Sequence, residues 1–277
     1  MMIRYICPSW GHGHLPPGEL LRRIAEAGFD GVEINLPDPG PWVEAFLSEL
    51  DTIRRQIPGF LFVAQAITSP FSGEEAAAFL ERTKKNLQVL LSYRPDFINA
   101  HSGKDYYPFE ENCRVLETGI QLSAETGIRI LHETHRGRFS FHAPALIPYL
   151  RTFPELELVG DFSHFCVVSE SMLEDQEPFL EEIVPRIGHL HARIGSEQAP
   201  QVSDPFAPEW GSHVERFWGW WKQVADHRAS TGQTCLTITP EFGPVPYMPV
   251  APFTQQPLGN QWEINLRMKD FLKTRLG

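Results

Sequence analysis

The amino-acid sequence predicts an α/β protein, a single-domain (β/α)8 barrel, from three observations. Short β-rich runs alternate with amphipathic segments of helix length from one end to the other, the pattern of a parallel sheet with helices packed outside it. Eight such units can be counted. The chain has 277 residues, close to the roughly 250 of a one-domain α/β barrel, and no Pro/Ser-rich linker divides it, so one domain over 1–277 is expected. Closure is favoured over an open sheet because it leaves no edge strand to protect.

Strands are expected at 4–8, 31–35, 60–67, 96–101, 129–135, 157–161, 188–194 and 235–241, with helices at 17–27, 41–57, 73–93, 109–126, 143–153, 173–184, 212–231 and 261–276. Pro16-Pro17 opens the first helix and Gly28 follows it, while Gly127 follows the fourth, the usual asymmetry of Pro at a start and Gly past an end. Period-two reading then sorts each strand into two faces. The second sets Val32 and Ile34 against Glu33 and Asn35, and the fourth sets Ile98 and Ala100 against Asn99 and His101. In the fifth, Leu131, Glu133 and His135 oppose Ile130 and His132; alone, this stretch also fits the start of a helix. The sixth sets Leu158 and Gly160 against Val159 and Asp161, and the seventh sets Leu190 and Ala192 against His189, His191 and Arg193. The eighth sets Ile238 and Pro240 against Thr239 and Glu241. Later strands ending in charge, as the fifth does, favour the strand reading of Glu133. Helix-facing positions must be apolar or small, so the polar parity faces the barrel axis.

Composition removes several function classes. A formal net charge of -11 repels phosphate backbones, and no Lys/Arg run supplies a local exception, so no nucleic-acid partner is expected. Met1-Met2-Ile3-Arg4-Tyr5 lacks the apolar region of a signal peptide, and no run of about 18 apolar residues could span a membrane, which makes a cytoplasmic location the expectation. Cys7, Cys113, Cys166 and Cys235 form no Cys-x-x-Cys pair and read as reduced, buried thiols. Cys166 follows Asp161 and His164 closely, which keeps metal ligation open for it as the less favoured alternative to a core thiol.

At the strand ends, Glu33, His101, Glu133, Asp161, His191 and Glu241 form a ring with several carboxylates close together. Like charges so near cannot all stay ionised without compensation: either some are protonated or a cation neutralises them, and a divalent metal is the economical answer. Carboxylate oxygens with an imidazole favour Mn²⁺ or Mg²⁺, with Co²⁺, Fe²⁺ or Zn²⁺ also compatible.

Glu133 in His132-Glu-Thr-His135, Asp161-Phe-Ser-His164, Gly188-His-Leu-His-Ala-Arg193 and Pro240-Glu241-Phe-Gly resemble the metal-binding strand ends of the xylose isomerase-like TIM-barrel superfamily, in order and spacing over nearly the whole chain. The resemblance is strongest to the sugar isomerase/epimerase branch that includes the ketohexose 3-epimerases. It implies a metal held by Glu133, Asp161, His191 and Glu241, with Glu133 and Glu241 as the proton-transfer pair and His164 as a substrate contact; a second metal ligand or a helix-start histidine are the alternatives for His164. It further implies a small-molecule sugar or sugar phosphate as substrate, with assembly into homo-oligomers left open. Relatives carry a Glu and then, six residues on, an Arg after the metal His; here Glu197 holds that place and the nearest Arg is Arg193, so a different substrate is expected.

Two carboxylates either side of a carbon next to a carbonyl can remove and return its proton, giving epimerisation or aldose–ketose isomerisation. A dehydratase or lyase on a keto-polyol would begin the same way. An abasic-site-type endonuclease, which uses more metals and histidines, and a non-catalytic sugar-binding barrel are the other readings. His101, Glu33 and Gln65 are candidate pocket residues, with core packing as the alternative for each; His189, one layer deeper than His191, reads as structural. Arg136, Arg138 and Arg193 can fork onto a phosphate or carboxylate, with ordinary surface ion pairing as the commoner explanation, and His135 with Arg136 is where a difference in substrate is expected to show. Trp10, His12 and His14 lie in a loop at the catalytic face, Trp218 and Trp221 read as core or interface, and the Pro-rich 243–257 segment reads as a cover over the site.

Overall fold

In the computed structural model, which describes residues 1–276, β1 (Met2–Pro8), β2 (Gly31–Ile34), β3 (Leu61–Ile67), β4 (Phe97–His101), β5 (Arg129–Glu133), β6 (Leu158–Gly160), β7 (Ile187–Ala192) and β8 (Cys235–Pro240) close into one barrel in chain order. Every pairing is parallel, including β1 with β8. Around it lie α1 (Pro17–Glu26), α2 (Pro41–Gln56), α3 (Ala76–Ser92), α4 (Phe109–Thr126), α5 (Ala143–Thr152), α6 (Phe162–Ser169), α7 (Glu177–Ile183), α8 (Gly211–Ser230) and α9 (Gln261–Leu276). The closed parallel barrel is the one the alternation predicts.

The two parities separate physically. Val32, Ile34, Ile98, Ala100, Ile130, Leu158, Leu190, Ala192 and Ile238 all join the large apolar core between strands and helices. Inside the barrel, Ile6, Val63, Phe97, Leu131 and Val159 form a separate apolar floor. Above it the inward side chains turn polar, and the charged ones stand at the C-terminal mouth, where barrels of this architecture carry their chemistry. His132 faces outward as expected: its Nδ1 lies 2.7 Å from Ser102 Oγ, and burial pushes it down to about 4. Gly119 of α4 makes room for it, since a Cβ there would stand 3.1 Å from the ring.

Three elements differ from expectation. β5 ends at Glu133, because Thr134 leaves the strand to bond the Asp161 carbonyl at 2.9 Å; His135 therefore reaches the site from a loop. α6 was not predicted: with Phe162, Phe165 and Cys166 all buried, the segment has no polar face to give a helical period. The segment expected as one helix over 173–184 is α7 followed by a 3-10 turn, Val184–Arg186. Trp221 lies in the core, and Trp218 packs against it and edge-on to Phe271 of α9.

Candidate active site

Each strand from β5 to β8 delivers one potential ligand to the mouth. Glu133 is the last residue of β5, His191 lies in β7 and Glu241 follows β8. Asp161 follows β6 and caps α6, its Oδ1 accepting from Ser163 N at 2.9 Å and Ser163 Oγ at 2.6 Å. That cap satisfies an amide the helix start would otherwise leave unpaired. Donor atoms of Glu133, Asp161 and His191 lie within 4.8 Å of one another.

These residues fit a divalent cation on a specific observation. His191 Nδ1 lies 2.6 Å from Glu241 Oε2 and 3.7 Å from Glu133 Oε2, yet both Nδ1 and Glu241 Oε2 are buried without a hydrogen bond. Buried polar atoms are normally paired, and donors converging without that pairing form a cage for a cation. The other ring nitrogen explains the orientation. His191 Nε2 lies 2.9 and 3.1 Å from the two oxygens of Glu33, so Nε2 keeps its proton when a metal displaces the one on Nδ1, the arrangement that carboxylates impose on metal-bound histidines.

The ring's electrostatics follow from burial opposed by close charges. Burial would raise the carboxyls of Glu33 and Glu133. His191 with His189 for the first, and His101 with His191 for the second, outweigh it and hold both well below the usual carboxylate range. Glu241 is lowered against the same burial by Arg193 and His191. Asp161 goes the other way, up to about 6, because burial and the neighbouring Glu241 and Glu133 charges exceed the pull of Arg193 and His191. Burial opposes a proton on His191, but Glu241, Glu33 and Glu133 hold its affinity well above the ordinary imidazole value.

Arg193 was expected to hold substrate, but its guanidinium is engaged within the ring. Nε bonds Asp161 Oδ2 at 3.0 Å and Nη2 lies 2.8 Å from Glu241 Oε1, with the Tyr247 ring 4.8 Å away. Glu33, expected at the substrate, lies beneath His191 and off the cavity wall; Thr239 Oγ1 at 2.6 Å, Asn99 Nδ2 at 2.9 Å and Gln65 Nε2 at 3.1 Å also donate to it. His189 sits in the same layer, between Thr237 Oγ1 at 2.7 Å and Thr239 Oγ1 at 3.1 Å, consistent with a structural reading. His101 Nε2 stands 2.9 Å from Glu133 Oε2 and its ring stacks 4.6 Å from His135. His135 in turn lies 3.9 Å from His164, and burial pushes it down to about 3. His164 is fully enclosed, 3.6 Å from Asp161 Oδ2, with both ring nitrogens unpaired; it stands behind His135 and not on the cavity wall. Arg136 also lies off the wall, its guanidinium 5.1 Å from the Tyr247 ring. Cys166 packs in the core, its thiol pushed up by burial, and belongs to no ligand group among the described residues.

The ring opens into a cavity of about 770 Å³. Its polar end carries His101, Glu133, His135, Arg138, Arg193 and Glu241, and its far end, over β1 and β2, carries Trp10, Leu36 and Trp42. Tyr247, from the 243–257 segment, closes on Trp10 at 5.0 Å. His12 stays off the wall, buried edge-on against Trp262. Sequence reasoning gave no role to Asn99, whose Nδ2 bridges Glu33 and Glu133 at 2.9 and 2.7 Å; its inward parity was the available signal.

Among solved structures the chain is similar in fold to 3-keto-D-glucoside 4-epimerase YcjR from E. coli, with 13% identity, a TM-score of 0.61, and 99% of this chain and 100% of that one covered. It is similar to the probable 3-DHS dehydratase AsbF of Bacillus anthracis at 15% identity and a TM-score of 0.60, covering 98% of each chain. A xylose isomerase domain containing protein from Salmonella typhimurium gives 15% identity and a TM-score of 0.63, covering 99% of this chain and 97% of that one. No curated protein matches the chain significantly in sequence. The sequence profile of the xylose isomerase-like TIM barrel family matches residues 21–228, most of the chain, and the protein therefore belongs to the xylose isomerase-like TIM-barrel family.

Proposed function

We propose that the protein is a divalent-metal-dependent sugar isomerase or epimerase in which Glu133 and Glu241 carry a proton to and from a carbon next to a carbonyl. One observation carries the reading: the buried, converging donor atoms of His191 and Glu241, in ionic contact at 2.6 Å beside Glu133 and Asp161, next to a cavity large enough for a sugar. Glu133, Asp161, His191 and Glu241 would hold the metal, and the mainly oxygen donor set favours Mn²⁺ or Mg²⁺. A bound divalent ion supplies stabilisation of the negative charge that develops on the substrate's oxygens as the carbon loses its proton.

The chain's own groups do the rest. Glu133 takes Asn99 Nδ2 at 2.7 Å and lies 2.9 Å from His101 Nε2, both at Oε2, so Oε1 is its oxygen for receiving a proton. Arg193 Nη2 holds Glu241 through Oε1 at 2.8 Å and fixes its carboxylate beside the cavity. Glu133 and Glu241 both lie on the cavity wall and flank His191 Nδ1, an arrangement suited to delivering a proton to either face of one carbon or to its neighbour. The Trp10, Trp42 and Tyr247 rings offer apolar faces for the C–H side of a sugar and help exclude water.

Incubation with Mn²⁺ and a panel of ketoses and aldoses in D₂O, followed by NMR, tests this. Solvent deuterium should enter a position next to the carbonyl, and Glu133→Gln and Glu241→Gln should each lower the rate about 100-fold or more, as loss of a general acid–base group does. Full activity in either variant, or no exchange with any sugar, overturns the proposal. Loss of a hydroxyl after exchange would identify a dehydratase built on the same first step.

A further inference from the structure

The three arginines that the sequence offers for an anion are sorted by their partners. Arg193 is bound to Asp161 and Glu241, and Arg136 packs on Tyr247 away from the cavity wall. Arg138 alone of the three is on the wall without an ionic partner: it is 93% buried, judged by its 7% exposure, and no carboxylate pairs with it among the described residues. A single hydrogen bond, Nη1 to the Thr68 carbonyl at 3.0 Å, holds it across the mouth of β4 toward the end of β3. The rest of its guanidinium fork has no protein partner beside the cavity it lines. Burial pushes its pKa down, opposed by Glu133 and Asp105 acting through space. Lys104 lies nearby, lowered first by burial and then by the Arg138 charge.

A largely buried guanidinium without a counter-charge carries a desolvation cost in the fold. A loop latch alone does not require one, since the carbonyl bond uses one nitrogen and a neutral donor would serve. The cost is recovered when a ligand brings the missing charge, and the planar fork matches carboxylate and phosphate oxygens. With an overall charge of -11, an anion entering this cavity needs such a local cation.

We propose that Arg138 anchors an anion subsite, so that the sugar taken by this cavity carries a carboxylate or phosphate group, held over the ends of β3 and β4 while its carbonyl end faces Glu133 and Glu241. The proposal rests on the reading of the cavity as a sugar site. It predicts that anionic sugars bind better than neutral ones of the same skeleton.

The test is calorimetric titration of the Mn²⁺-loaded protein with D-fructose, D-fructose 6-phosphate and D-fructuronate. One of the two anionic sugars should bind about tenfold tighter than fructose or better, and which one does separates phosphate from carboxylate. Arg138→Gln should abolish that preference by weakening the anionic sugar about tenfold relative to fructose, whereas Arg138→Lys should keep part of it. A residue that only latched the loop would shift all three ligands together. Equal affinities in the wild type, no binding of either anionic sugar, or a preference that survives Arg138→Gln overturns the proposal. If Arg138→Gln does not fold, the wild-type order of affinities still decides. Deuterium exchange into fructose reads the proton-transfer proposal separately, because it reports on C–H chemistry and not on the order of affinities.

Discussion

Replacing Glu33 by Gln removes the carboxylate beneath the proposed metal centre without changing its size. Its two oxygens now receive Thr239 Oγ1 at 2.6 Å, Asn99 Nδ2 at 2.9 Å and Gln65 Nε2 at 3.1 Å, and His191 Nε2 lies 2.9 and 3.1 Å from them. The amide keeps one acceptor oxygen and puts two N–H donors where the other stood. Donor then meets donor in a buried site, and at least one bond to a charged group, worth about 1.5–3 kcal/mol, is lost. The substitution also strips His191 of its partner on one side; breaking a buried ion pair costs about 3–5 kcal/mol, here less because Glu241 and Glu133 still face the ring. Together these give a destabilisation of about 2–4 kcal/mol, read by urea unfolding of the metal-free protein. Metal affinity reports on the orienting role separately. With Nε2 no longer held as the protonated nitrogen, Mn²⁺ binding measured by calorimetry should weaken about 10–100-fold. Affinity within about twofold of wild type in a folded Glu33→Gln protein would refute the claim that Glu33 sets the tautomer of His191.

Two further predictions concern the same centre. In the metal-free protein His191 binds its proton well above the usual imidazole value and Asp161 binds one up to about 6; an incoming ion must displace these protons, so Mn²⁺ affinity should rise with pH. The slope should be about one decade per pH unit above 6 and steeper below it, and pH-independent binding from about 5 to 8 would contradict the site's charge balance. Arg193→Ala leaves Asp161 and Glu241 without their shared guanidinium, a loss of about 3–5 kcal/mol in the metal-free protein. Added Mn²⁺ should restore part of that stability, so the gap in unfolding midpoint between variant and wild type should narrow with metal.

The legible part of this molecule is the part carried by strands. A period-two reading needs only local sequence, and it separated Val32 and Ile34 from Glu33, or Leu190 and Ala192 from His189 and His191, as the barrel does. It placed Glu133, Asp161, His191 and Glu241 at one mouth because parallel strands in chain order bring equivalent ends together. It failed where a residue's position depends on a partner distant in sequence. That Arg193 lies between Asp161 and Glu241 follows from the register of β7 against β6 and β8, which parity does not specify. α6 was missed because its residues are mostly apolar on every side, so no polar face marks its period, although Asp161 followed two residues later by Ser163 is a helix-cap pattern that could have shown where it begins.

The loop after β5 divides what was readable from what was not. Four residues separate Thr134 from Phe139, and within them the chain turns at Gly137, whose φ of 72° favours glycine, before Ser140 Oγ donates to the Glu133 carbonyl. That return places His135 against His101 and His164 and sends Arg138 to the Thr68 carbonyl, 70 residues away. No periodicity encodes this; it follows from the hydrogen bonds that close the loop. The proposed proton-transfer groups on strand ends are held by the barrel itself, whereas the groups proposed to read the rest of the substrate sit on loops, free to vary without disturbing it. The general chemistry of the site is therefore written in strand phase, and the choice of ligand is written in the contacts of one short loop, of which Arg138 is the charged, unpartnered member.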